Sequence, residues 1–149
     1  MQPRSLAFDL AVGALLFAGP AWVQAVRAAT PGDTSELSRK LEATWNAHDA
    51  NGFAALFAPD ATWTNMTVPA TAGPVRPQTE GFFKAYPDMH CVLGTHSADA
   101  TVAFSEWACT GTEATSKKPL EFHAVTIDRL ASDGKITDRH AYYDPAAVK

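Results

Sequence analysis

The stretch Glu121 to Asp144, "EFHAVTIDRLASDGKITDRHAYYD", constrains the fold more than any other. Two runs of β-forming residues flank Asp133-Gly134, a strong hairpin signal. If Ala131 and Ile136 close the loop, Thr126 faces Ala141, Asp128 faces Arg139 and Ala124 faces Tyr143. Side chains alternate along a strand, so these pairs share one side of the sheet. The other side carries His123 opposite Asp144, Ile127 opposite His140 and Arg129 opposite Asp138. A slip of one residue would exchange the two sets. The pattern alone does not say which set faces a core.

The chain has 149 residues, 46% of them hydrophobic, and a formal charge of -4. One domain is expected at this length. With 19% charged residues and no basic cluster, nucleic-acid binding has little support. No phosphate-binding glycine motif or internal repeat is present, and "FSEWAC" lacks the context of a serine nucleophile.

The first residues differ in kind. Arg4 precedes the apolar run Leu10–Val23, which is broken at Gly19-Pro20 and followed by Val26 and Ala28 in small-x-small spacing. This predicts a signal peptide over residues 1–28 and a mature domain over 29–149, periplasmic or secreted. The run is shorter than the roughly 20 residues that span a bilayer, and the mature chain is acidic, so no membrane partner is expected. In an oxidising compartment the two cysteines, Cys91 and Cys109, are expected to pair. A hairpin turning near Ala100 sets them directly opposite each other.

Along the chain, Asp33 and Glu36 suggest a capping box, and Leu37, Leu41 and Trp45 form one apolar stripe of a helix ending near His48. Asp49 caps a shorter helix with Phe53, Leu56 and Phe57 inside and Pro59-Asp60 as its stop. Residues 61–68 read as a strand and 69–78 as a loop. "TEGFFKAY" allows two helical turns. Strands around "HCVLGTHS" and "TVAFSEWACTGT" precede the final hairpin. Helices first and a meander after predict α+β, with helices packed on one face of a curved sheet.

The segments "WNAHDANGFAALFAPDATWTN", "PDMHCVL" and "DGKITDRHAYYD" resemble the SnoaL-like polyketide cyclases of the nuclear-transport-factor-2-like superfold. The resemblance runs from about Ser35 to Pro145. It implies a cone, with the N-terminal helices packed in a strongly curved antiparallel or mixed sheet around one apolar pocket, and an outer sheet face that builds a homodimer. It also fixes the inner side: the catalytic histidine and aspartate of the cyclases fall on Thr126 and Ala141, and both are lost. The ketosteroid isomerases of this fold fare no better. Their base falls on Asn65, their tyrosine on Leu41 and their protonated acid on Thr126.

The pocket face is therefore expected to hold Leu41, Trp45, Trp63, Asn65, Phe122, Thr126, Asp128, Arg139 and Tyr143. Asp128, Arg139 and Tyr143 are the catalytic candidates, with Arg139 on a carboxylate or enolate oxygen and Asp128 as base. The competing reading of Asp128 and Arg139 is a partly wet ion pair near the hairpin end, worth less than about 1 kcal/mol. His123, Asp138 and His140 form an alternative set on the outer face. His90 and His96, on one strand face, lack a third ligand, so no metal or cofactor is expected. Two functions remain open: a cofactor-free acid–base enzyme of cyclase, isomerase or dehydratase type on a small apolar or carbonyl-containing metabolite, and a non-catalytic periplasmic binding or accessory domain.

Overall fold

The computed structural model describes residues 31–144 and 146. The expected leader, residues 1–28, lies outside them. Helix α1 (Pro31–Asn46) is followed by α2 (Ala50–Ala54), strands β1 (Phe57–Asn65) and β2 (Thr71–Pro74), helix α3 (Val75–Ala85), and strands β3 (His90–Ala98), β4 (Val102–Thr112), β5 (Pro119–Leu130) and β6 (Ile136–Tyr143). The six strands form one curled, mixed sheet in the order β2-β1-β6-β5-β4-β3. This is the expected α+β class. β1 runs parallel to β6, and every other neighbouring pair is antiparallel.

The apolar stripe of α1 puts Leu41 and Trp45 into the core, where they meet Phe53, Trp63, Trp107 and Ile136. Asp49 caps α2 by accepting from the Gly52 amide at 2.8 Å. Two boundaries differ from the sequence reading. Pro59-Asp60 does not stop a helix but lies within β1, which opens at Phe57 opposite Ile136. Its ladder is interrupted between Phe57 and Thr62, and β2 pairs only with residues 62–65, so Pro59 owes no amide to a neighbour. The supposed loop over 69–78 contains β2 and the first turn of α3.

The last hairpin takes the expected register: Thr126 opposite Ala141, Asp128 opposite Arg139, Ala124 opposite Tyr143, Ile127 opposite His140 and Arg129 opposite Asp138. Gly134, at φ 82°, supplies the left-handed turn residue. Cys91 and Cys109 are opposite each other and bonded, with Cα atoms 4.1 Å apart. An irregularity between Leu93 and His96 shifts the β3–β4 register, so His96 pairs with buried Ser105 while His90 pairs with exposed Thr110. The two histidines thus lie on opposite faces, not on one as expected.

β3 is an edge strand, and α1 covers that edge with side chains. Asn46 donates to the Cys91 carbonyl and accepts from its amide, both at 2.8 Å. Glu42 accepts from the Leu93 amide at 2.8 Å, and His48 bonds the Met89 carbonyl at 2.9 Å. Cys91 and Leu93 alternate along β3 and Met89 directly precedes it, so three side chains stand in for a seventh strand. His48 follows the helix end with a left-handed φ of 52° and stacks on Phe83, 4.7 Å between ring centroids.

Candidate functional site

α1, the curled sheet and α3 enclose one half-open cavity. About 60 Å³ of it is open to the centre of a water-sized sphere. Leu41 and Trp45 reach it from α1, Phe53 from α2, Trp63 from β1 and Phe82 from α3. The inner sheet face adds Trp107, Phe122, Thr126, Arg139, Ala141, Tyr143 and the Cys91–Cys109 bridge. Period-2 alternation explains this set: positions 107, 122, 124, 126, 139, 141 and 143 share one side of three adjacent strands. Six of the expected substrate-side and catalytic residues besides Arg139 line the cavity: Leu41, Trp45, Trp63, Phe122, Thr126 and Tyr143.

Two expected site residues do not line it. Asn65 is buried beside it, donating to Gln78 Oε1 at 3.0 Å, while its own Oδ1 has no partner. Asp128 faces inward but is sealed off, 1% exposed. Both its oxygens accept from Arg139, Oδ1 from Nε and Oδ2 from Nη2, each at 2.7 Å. The partly wet surface pair is therefore corrected to a buried bidentate one. The cause lies far away in sequence: Phe53, Phe57 and Trp63 pack their rings around the guanidinium, whose carbon sits 5.0–5.7 Å from their centroids. Arg139 is left 3% exposed, and the rings' negative faces suit the cation.

Tyr143 lies on the wall half-buried, 5.7 Å from Phe122 between centroids, and no described residue bonds its hydroxyl. Burial, and secondarily Tyr86, pushes its phenol above the ordinary range, so it keeps its proton at neutral pH. Burial and then Glu113 push Tyr86 the same way. On the opposite sheet face, Asp138 accepts from Thr62 at 2.8 Å and lies 3.2 Å from His140 Nε2 and 3.9 Å from Arg129. His123 is exposed there. None of His123, Asp138 and His140 reaches the cavity. Among the described residues, no group of three or more His, Cys, Asp or Glu side chains is placed to hold a metal.

One polar contact was missed by the sequence reading. Trp107 Nε1 donates to Thr126 Oγ1 at 3.1 Å, buried in the cavity wall. The two positions lie on neighbouring strands of the same face, which a predicted β4–β5 register would have revealed.

The sequence profile of the SnoaL-like domain matches residues 38–139. The chain belongs to the SnoaL-like domain family. No curated protein sequence matches it. Among solved structures, AclR from Streptomyces galilaeus, a candidate hydroxylase, superposes with TM-score 0.68 at 18% identity, over 80% of this chain and 83% of that one. IdmH from Streptomyces antibioticus, a candidate polyketide cyclase, does so with TM-score 0.64 at 18% identity, over 76% and 94%. A Catenulispora acidiphila protein of ketosteroid isomerase-like fold, in complex with trimethylamine, gives TM-score 0.67 at 18% identity, over 76% and 88%. At such identities the likeness establishes the fold and not the chemistry.

Proposed function

We propose that this SnoaL-like domain works outside the cytoplasm as a binding domain for a small, apolar, oxygen-bearing metabolite. The observation that carries this reading is the state of Asp128. It is the one carboxylate expected on the pocket face, and both its oxygens are held by Arg139 at 2.7 Å. Among the described residues that line the cavity, none is Asp, Glu or His. A general base must reach the proton it removes. The cavity keeps what binding needs: aromatic walls and a few convergent polar groups. The buried disulfide and the leader-like residues 1–28 support export.

A second reading, a cofactor-free enzyme of cyclase, isomerase or dehydratase type, is favoured by Tyr143. A protonated phenol on an apolar wall can polarise a carbonyl or hand a proton to a leaving oxygen. Incubation with an exported metabolite pool separates the two readings. A binding domain returns each retained compound unchanged, whereas an enzyme depletes one and forms an isomeric or dehydrated product. Complete product formation that Tyr143→Phe abolishes would replace the first reading with the second.

The outer sheet face is proposed to pair with a second copy. Val92, Ile127 and Tyr142 are exposed large apolar residues on it, and the family resemblance implies the same use. Sedimentation should give a dimer that Tyr142→Glu dissociates; a wild-type monomer at high concentration would remove this proposal.

A further inference from the structure

We infer that the cavity reads an uncharged hydrogen-bond acceptor, with Trp107 fixing the Thr126 hydroxyl as the donor that meets it. The inference rests on the binding reading above and names the ligand class.

Each polar group in the wall can play only certain hydrogen-bonding parts. An indole N–H donates and never accepts. Because Trp107 Nε1 lies 3.1 Å from Thr126 Oγ1, the threonine oxygen is the acceptor of that bond. Its own proton must therefore point elsewhere, and the described residues offer it no acceptor. Trp107 is a positioning residue: it turns an ambivalent hydroxyl into a donor. Thr126 is 5% exposed and lines the cavity, so a ligand is the natural recipient.

The other polar groups of the wall agree. Trp45 and Trp63 are 9% and 5% exposed, both line the cavity, and neither indole nitrogen has a partner. Arg139 carries donors only, and its fork to Asp128 uses Nε and Nη2, leaving Nη1 outside. Tyr143 alone can play either part. A buried donor without an acceptor is costly, so a ligand oxygen that answers one gains more than it would at the surface.

Charge decides between two kinds of acceptor. Arg139 is already neutralised by Asp128, in two short bonds under three aromatic rings. A ligand carboxylate would bring a second anion to one cation in a dry site, which is unfavourable. The ligand class is thus a neutral ketone, ester, lactone or ether with an apolar body. An alcohol fits less well, because its proton would find few acceptors.

Four cyclopentane derivatives test this: cyclopentanone, cyclopentanol and methylcyclopentane, which share one shape, and the slightly larger cyclopentanecarboxylate. Binding is followed by NMR of the indole N–H signals, three of which come from the wall. Cyclopentanone should bind tightest, about tenfold over methylcyclopentane, as one buried hydrogen bond allows. Thr126→Val should erase that advantage, bringing cyclopentanone and methylcyclopentane to similar affinity. Trp107→Phe, which frees the hydroxyl to accept, should raise cyclopentanol relative to cyclopentanone. If Trp107→Phe does not fold, Thr126→Val still decides. Tightest binding by cyclopentanecarboxylate, or a ketone advantage that survives Thr126→Val, would overturn the inference while leaving the pocket reading intact. Binding of none of the four would sink both.

Discussion

On the inner face of the β5–β6 hairpin, Asp128 and Arg139 meet in two 2.7 Å bonds with side chains 1% and 4% exposed. One residue along each strand, on the outer face, Arg129 and Asp138 stand 3.9 Å apart, 67% and 27% exposed. The residue types and the cross-strand spacing are the same; the surroundings are not. Outside, water screens the charges and the side chains lose entropy to meet, so little is gained. Inside, the charges have no water to fall back on, and each partner makes the other tolerable. The pair expected on the pocket face is, by the tightness of its own contact, the least available for chemistry. Exposure, rather than residue identity, separates a structural lock from a usable base.

The largest expected effect comes from opening the lock. Arg139→Ala leaves a buried carboxylate alone and removes the cation from three rings; it should cost about 3–5 kcal/mol in urea unfolding. Replacing both partners, Asp128→Leu with Arg139→Met, should recover most of that loss, because apolar side chains suit the site. A pair of equal cost in the single and double variants would mean that the ring cage, not the charge, is what matters.

Next comes the other wall of the cavity. Cys91→Ser with Cys109→Ser should cost about 3 kcal/mol, from the chain entropy of a loop of this length. Asn46→Ala should cost about 1–2 kcal/mol by exposing the β3 edge at Cys91, read as faster amide exchange at Cys91. The outer pair should be nearly silent: Arg129→Ala within about 0.5 kcal/mol of wild type.

The pH profile sharpens the contrast further. Tyr86 and Tyr143 have phenols raised by burial. Below the ordinary tyrosine value both states are protonated and the stabilisation is in place. Above about pH 10 the unfolded chain ionises first, so stability falls as pH rises. Tyr143→Phe should flatten part of that alkaline loss in urea unfolding; an unchanged profile would remove Tyr143 as its source.

Much of this was legible in the sequence because the signals were local. Asp133-Gly134 pins the last hairpin, and alternation then sorts His123, Asp138 and His140 from Thr126, Arg139 and Tyr143. What was not legible depends on distant partners. The dryness of Arg139 comes from Phe53, Phe57 and Trp63, which the packing of α2 and the parallel β1–β6 pairing bring near. Prolines and a glycine hid β2 and the start of α3, since both read as breakers even where a short edge strand and a helix N-terminus tolerate them. The disulfide register is instructive too. Near the turn, Ala98 faces Ala103, a sum of partners one higher than that of Cys91 and Cys109. The irregularity after Leu93 restores the offset, and without it the sulfurs would point to opposite faces.

Two double-mutant cycles run side by side test the account most directly: Asp128 with Arg139, and Arg129 with Asp138, each to alanine. A coupling of several kcal/mol is expected for the inner pair and under about 1 kcal/mol for the outer one. Couplings of similar size would contradict it, because Asp128 would then be no more tightly held than a surface carboxylate and free to serve as a base.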